Sequence, residues 1–282
     1  VSSPRLLGST ADRLPVAAAA PRAPRARGAA QRLPLLLLPL AGLLVWQLVI
    51  WIWEPQDWLL PSPATVADVL WTERERLWFH AQATIAEAAV GFALAATLGT
   101  LLAILIVSSK VADRALYPWL VVSQAIPVLA IAPLMAVWLD YGTAQVMVAF
   151  LISFFPVVVT GVDGLRSVDP ALGAAVRTLG AGRAWTFRRV TFPAALPSLF
   201  SGLKMAAVFA VTGAVVAEYV GADRGLGYLS DFSTAQFRTD RSFAAIVLLG
   251  LIGLGFFGAV ALAERVALPH RHRSVRPSWR RR

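Results

Sequence analysis

Cysteine is absent from the 282 residues, which excludes a disulfide framework and any thiolate metal site. Histidine is nearly as scarce. The only three are His80, His270 and His272, and two of them lie in a basic tail, so a histidine metal site is not expected. Charge is thin as well: Asp, Glu, Lys and Arg make up 15% of the chain, against roughly 25% in globular proteins. No glycine-rich, Lys-Ser/Thr phosphate-cradling loop occurs anywhere. What fills the space is apolar. Hydrophobic residues reach 57%, too many for a soluble domain of this size to cover with polar surface. The composition therefore points to lipid as the solvent.

Long uncharged runs supply the spans. Residues 34–53, PLLLLPLAGLLVWQLVIWIW, carry no charge and match the about 20 residues needed to cross a ~30 Å hydrocarbon core. A secretory signal has a shorter apolar core and a small-residue cleavage site. This run ends instead in Trp51, Ile52 and Trp53, an interfacial aromatic anchor, and reads as an uncleaved first span. Further spans are expected at 82–107, 116–138, 143–161, 198–219 and 242–263. Residues 54–80 are polar, with a short helix expected to start near Ser62 and Pro63. Residues 1–33 are rich in Ala, Pro and Arg and read as a disordered basic tail, as do residues 266–282 at the other end. The six-helix membrane domain then covers 34–265.

Net charge is +10, and its distribution sets the topology. Residues 1–33, 108–115, 162–197 and 264–282 are net positive. Residues 54–80, 139–142 and 220–241 are net negative, counting Glu218 with the last. The signs alternate along the chain, so the positive loops and both termini are expected on the cytoplasmic side. A basic chain can also bind nucleic acid, but the arginines here cluster between spans as topogenic charge, and nucleic-acid binding is not expected.

The loop at 162–197 carries the most information. Leu165, Val168, Leu172, Ala175 and Leu179 recur at steps of three and four, one face of a helix. Asp169 followed by Pro170 is a helix start, with Asp as N-cap and Pro at the first turn. Gly180 and Gly182 break that helix. A second short one is expected over 184–190, ended by Pro193 and Pro197. Periodicity alone fits either an amphipathic pair lying on the membrane or its own bundle, or a docking element for a soluble partner.

The spacing within this loop resembles the EAA motif of ABC importer permeases. The motif falls on Ala174, Ala175 and Val176, then Gly180, Val190, Phe192 and Pro193, inside a basic loop before the penultimate span. The resemblance covers roughly residues 60–265. The family's Glu is replaced by Ala174, which removes one polar contact with the ATPase or within the local fold. SQAIPVLAIAPLMAVWLDYG at 123–142, FFPVVVTGVDGLRSVDP at 154–170 and GADRGLGYLS at 221–230 are similar to the branch that imports nitrate, sulfonates, taurine and thiamine-precursor pyrimidines. The pyrimidine or riboflavin sub-branch fits better than the sulfonate one.

The resemblance implies an all-α type I importer transmembrane domain of six helices in a bacterial inner membrane, N-in and C-in. It implies a homodimer served by two cytoplasmic ATPase subunits and by a periplasmic or lipid-anchored binding protein. The chain itself would bind no cofactor and have no enzymatic site, ATP and Mg belonging to the ATPase. The coupling elements would lie at about 165–192, with Asp169, Ala174, Ala175, Val176, Leu179, Gly180, Val190 and Pro193 as the ATPase-coupling residues. Gln124, Trp138, Tyr141, Phe154, Phe155 and Glu218, on or near spans three to five, would line the substrate pathway, where aromatic walls suit a planar heterocycle.

Other features bear on a moving membrane machine. Pro127, Pro133 and Pro156 fall within spans and would kink them. Gly202, Gly213, Gly250, Gly253 and Gly255 would allow close helix approach. Glu87 and Lys204 are ionisable groups at membrane depth, costly unless paired or snorkelling. Lys204 lies near a span end and is expected to snorkel. Two other classes compete. A six-span secondary transporter would need midplane polar groups and repeats, and an intramembrane enzyme would need a catalytic constellation within the spans. The sequence supplies neither.

Overall fold

The N-cap at Ser62 shows how local sequence sets the first boundary. Its hydroxyl accepts the Thr65 N–H at 3.1 Å, and Pro63 occupies the first turn, where a missing N–H costs nothing. The computed structural model describes residues 33–140 and 142–269. Residues 1–32 and 270–282, which hold nearly all of both expected tails with His270 and His272, and also Tyr141, lie outside the described residues.

The described residues form helices α1 (Leu33–Trp53), α2 (Pro63–Thr72), α3 (Arg74–Ser108), α4 (Lys110–Ser123), α5 (Val128–Trp138) and α6 (Thr143–Arg166). They continue as α7 (Pro170–Thr178), α8 (Arg183–Thr186), a π-helical turn (Phe187–Thr191), α9 (Phe192–Gly221), α10 (Leu226–Ala235) and α11 (Thr239–Ala267). Two compact units divide between Leu48 and Val49. The first contributes the uncharged start of α1, with Pro39 inside it. Everything below concerns the second.

Among the described residues, four helical stretches are long and apolar enough to cross a membrane: Arg74–Ser108, Thr143–Arg166, Arg183–Gly221 and Thr239–Ala267. α4 and α5 together pass the same test but are bent by 95°. The single continuous helix expected at 116–138 is therefore corrected to two helices meeting at a sharp bend. Pro127 lacks an N–H and keeps the residue before it out of the helical region. α4 closes before it with tightened bonds, Ala125 N–H to Val122 O at 3.0 Å and Ile126 N–H to Ser123 O at 3.3 Å. The second span also starts earlier than expected. α3 has 35 residues, roughly 50 Å at the helical rise, so its first turns extend past a bilayer core.

α6 is the central helix, packed between α3 and α9. Small residues permit this. A Cβ on Gly91 of α3 would lie 2.7 Å from Ala149 Cβ, and one on Gly213 of α9 would lie 2.7 Å from Ala149 Cα. Both flanking helices thus press their backbones onto one alanine of α6, the small-residue packing that holds helices together where lipid removes the hydrophobic drive. Gly202 does the same against Thr160. Among the described residues, Gly250, Gly253 and Gly255 on α11 have no atom of another helix within 4 Å of the corresponding position, so the close approach expected there is not made among them. Leu94, Leu98, Leu101, Leu251 and Leu254 are exposed on the bundle's outside, as a lipid-facing surface requires.

Lys204 does not merely snorkel. Its Nζ reaches Glu264 Oε2 at 2.8 Å, tying α9 to α11 with both side chains largely buried. Pairing satisfies the ammonium that the sequence left to water.

Candidate functional site

The basic loop is built between α6 and α9. α6 ends at Arg166, whose guanidinium meets Asp113 Oδ1 at 2.5 Å and stacks over the Tyr117 ring at 5.2 Å. The loop's base is thereby fastened to α4. Asp169 then caps α7, its Oδ1 accepting the Ala171 N–H at 2.8 Å, with Pro170 in the first turn as the sequence predicts.

The end of α7 explains the motif glycine. Gly180 N–H donates to Arg177 O at 3.0 Å and Ala181 N–H to Val176 O at 3.3 Å. This is a Schellman closure, in which the residue after the cap must turn left-handed. Gly180 has φ +92°, a conformation that a side chain resists. After it, α8 begins at Arg183, and Thr186 folds back with its hydroxyl on Gly182 O at 3.0 Å.

Two expectations for this loop are corrected. The stripe from Leu165 to Leu179 is not one helix, because the chain leaves helical geometry between Arg166 and Pro170. Leu165 is buried in the bundle, whereas Leu172 and Leu179 are exposed, at 53% and 87%. Nor do Pro193 and Pro197 end the second short helix. α8 runs through the π turn into α9, Phe192 N–H reaching Phe187 O five residues back. The extra residue in that wide turn lets the chain pass Pro193 without a break.

The result is a small ledge, closed at its two ends by Asp169 and Gly180. Val176, Leu179, Gly180, Ala181, Gly182 and Trp185 surround an open hollow of about 410 Å³. Ala174 and Ala175 are exposed on α7, Val190 is half-buried in the π turn, and Pro193 is exposed at the start of α9. Arg177, Arg183, Arg188 and Arg189 are exposed around the ledge. All eight coupling residues read from the sequence fall on this one stretch. Because position 174 faces outward, alanine there leaves no unfilled space in the fold.

The expected pathway residues are more scattered. Gln124 and Trp138 sit on the broken pair, at the end of α4 and the end of α5, and both are exposed. Phe154 and Phe155 are half-buried on α6. Phe154 stacks at a tilt on Phe150, centroids 5.2 Å apart, and packs beside Ala103, Ile106 and Val158. Tyr141 lies outside the described residues. Glu218 faces inward and is only 2% exposed.

Glu218 has a different occupation, which the sequence did not disclose. Its Oε1 accepts the Thr84 hydroxyl at 2.6 Å and its Oε2 accepts the Gly227 N–H at 2.5 Å, with the Tyr228 N–H also donating to it. Thr84 in turn accepts the Leu226 N–H at 2.9 Å, and His80 Nδ1 accepts the Gly225 N–H at 3.2 Å. The orphan N–H groups that open α10 are thus satisfied by side chains of α3 and α9. The available signal was the GLG run at 225–227. A Cβ at Gly225 would collide with the Glu218 carboxyl, and one at Gly227 would lie 2.7 Å from its Oε2.

The described residues thus form an all-helical bundle of long apolar helices with a capped, exposed helical ledge just before α9. The family described as binding-protein-dependent transport system inner membrane component matches residues 95–267. The chain belongs to that family and is the permease component of an ABC importer. It is 40% identical over 218 residues to the formylaminopyrimidine transport permease protein ThiX of Halalkalibacterium halodurans, covering 77% of this chain and 87% of that one. It is 37% identical over 259 residues to the riboflavin transport system permease protein RibX of Chloroflexus aurantiacus, covering 90% and 96%. The fold is similar to a chain of the MetNI methionine ABC transporter in an inward-facing form, with TM-score 0.56 and 19% identity over 71% of this chain and 98% of that one.

Proposed function

We propose that this permease works as a homodimer of six-span subunits in a bacterial cytoplasmic membrane, with both termini and the α7–α8 ledge inside. Residues 34–265 form the membrane domain. Each ledge seats in a groove of a separate ATPase subunit, and a periplasmic or lipid-anchored binding protein delivers the solute at the opposite face. ATP and Mg bind to the ATPase, and this chain holds no cofactor and no nucleotide site of its own. The observation that carries the reading is the combination of two large exposed apolar residues, Leu172 and Leu179, with a helix whose two ends are closed by Asp169 and Gly180. A contiguous exposed apolar patch marks a contact surface, and Val176, Leu179 and Trp185 share one hollow on this ledge.

The transported solute is a small planar nitrogen heterocycle of the pyrimidine or riboflavin kind. The support is the identity to ThiX and RibX and the aromatic character of Trp138, Phe154 and Phe155 on α5 and α6. Gln124 and Tyr141 complete the proposed pathway. Glu218 drops out of it, because its oxygens already serve α10.

The test is co-purification through a tag on this chain in lipid, comparing wild type with Gly180→Asp. Association of an ATPase with the wild type, and loss of it or of its coupled hydrolysis in the variant, supports the docking role. A wild type that brings down no ATPase and shows no hydrolysis overturns it. Uptake into vesicles containing the full complex, competed by a pyrimidine or by an aliphatic sulfonate, then decides the solute.

A further inference from the structure

Asp113 and Tyr117 stand one turn apart on the same face of α4, and Arg166, the last residue of α6, meets both. Its Nη2 donates to Asp113 Oδ1 at 2.5 Å, and its guanidinium lies 5.2 Å from the Tyr117 ring centroid. Among the described residues these are the only polar contacts from a side chain of α4 to another helix. α4 is otherwise lightly held. None of its residues is buried. Tyr117 and Leu120 lean on Ala103, Ile106, Val158 and Val162 of α3 and α6, while Val111, Leu116, Trp119, Val121 and Val122 are exposed. At its far end the chain turns by 95° into α5. Arg166 is also the root of the ledge. Ser167 is tied back to α6, its N–H to Asp163 O and its hydroxyl to Gly164 O, both at 2.9 Å. Two residues further on, Asp169 caps α7. A displacement of α7 therefore reaches Arg166 through a short, bonded stretch.

We propose that Arg166 is a positioning residue that passes movement of the ledge, through Asp113 and Tyr117, to α4 and the elbow between α4 and α5. The two side chains of the ion pair are 42% and 39% exposed, and a pair that wet adds little to stability. What it adds is direction. A grip at two points one turn apart holds α4 against both sliding and rotation about its own axis, so α4 follows when the root of α7 shifts. Coupling between distant sites is carried by bonded and packed chains of this kind. The elbow holds Gln124 of the proposed pathway, so the chain of contacts ends where the solute is expected to pass. The inference rests on the docking role proposed for the ledge and adds the route from the ledge into the membrane.

Amide hydrogen exchange of the complex with its ATPase in lipid tests it, nucleotide-free against trapped with Mg, ATP and vanadate. In the wild type, trapping should change exchange in two places, the ledge at 170–186 and the elbow at 121–130. In Asp113→Asn the ledge should respond as before, and the elbow response should be lost. Arg166→Gln should give the same split from the other side of the pair, and decides the matter if Asp113→Asn does not assemble. Exchanging the charges, Asp113→Arg with Arg166→Asp, should restore most of the elbow response. A pair that only supports the fold would lower the thermal midpoint in the single variants and weaken both responses alike, which would overturn the proposal. So would an elbow that is silent in the wild type while the ledge responds, an elbow response that survives in the single variants, or a charge exchange that restores nothing. A wild type whose ledge does not respond to trapping would remove the docking role itself, and the inference with it.

Discussion

Arg241 at the start of α11 grips Glu73 at the α2–α3 corner with both arms of its guanidinium. Nε reaches Oε2 at 2.7 Å and Nη2 reaches Oε1 at 2.8 Å. Arg241 is 7% exposed, and Arg238 adds a longer contact at 3.3 Å. The pair ties three helices at the end of the bundle remote from the ledge.

The first prediction follows from this pair. The hydrogen bond from Arg241 holds the Glu73 carboxyl below its ordinary range, helped by the charges of Arg241, Arg238 and Arg76 and opposed by burial. A depressed native value means that the stabilisation is present above the unfolded value and lost as pH falls through the native one. Glu73→Gln leaves a buried guanidinium half-answered and should cost about 2–3 kcal/mol at neutral pH. The gap in thermal midpoint between variant and wild type should close on acidification below the ordinary carboxylate range. A gap that is independent of pH would show that the charge is immaterial.

Gly180 gives the second. Left-handed φ costs a Cβ-bearing residue roughly 1 kcal/mol, least for Asn, and more for a β-branched side chain. Coupled ATP hydrolysis by the purified complex should therefore rank wild type above Gly180→Asn, then Gly180→Ala, with Gly180→Val lowest. The global thermal midpoint should move little, since the ledge lies outside the core. Equal activity across the series would detach the cap from the docking role.

These two regions differ in how far the sequence disclosed them. Asp169, Pro170 and Gly180 act through bonds to residues within five positions, so their roles could be read from spacing. The helices themselves were legible as apolar runs for the same reason. Glu73 with Arg241 and Lys204 with Glu264 join residues far apart in the chain, and composition cannot say which charges meet. Pro127 predicts a kink, but the 95° size of the bend depends on how α5 packs against α6 and α9. The Leu165–Leu179 stripe misled because its regular step continued through the Ser167–Asp169 break, which separates a buried leucine from two exposed ones.

The third prediction concerns Lys204 and Glu264. Lys204→Met removes the ammonium and leaves a largely buried carboxylate without its partner, so a loss of about 2–3 kcal/mol is expected. The double variant Lys204→Met/Glu264→Met should recover most of it, because two apolar side chains suit the interface between α9 and α11. A double-mutant cycle on thermal midpoints in lipid measures the coupling. Simple additivity would mean that each group is solvated separately.

Gly225 carries the fourth. Its φ is +128°, and an added Cβ would overlap the Glu218 carboxyl. Gly225→Ala must therefore displace the acid that opens α10, costing more than the roughly 1 kcal/mol of a left-handed alanine alone. Amide hydrogen exchange should speed up at Gly227 and Tyr228 while the centre of α6 keeps its protection. Unchanged exchange at those two amides would mean that α10 does not depend on Glu218.

Leu179 separates folding from docking most cleanly. It is 87% exposed on a helix end whose geometry is set by backbone bonds from Gly180 and Ala181, not by its own side chain. Leu179→Ser should then leave the permease's unfolding free energy within about 0.5 kcal/mol of wild type, as surface changes generally do. If the leucine seats in an ATPase groove, the same change should weaken association with that subunit tenfold or more, the scale of an interface anchor. Leu172→Ser, less exposed at 53% and on the same ledge, should act in the same direction. A stable Leu179→Ser permease that still binds and drives its ATPase at the wild-type level would move the contact off α7 and onto the arginines of α8 and the π turn.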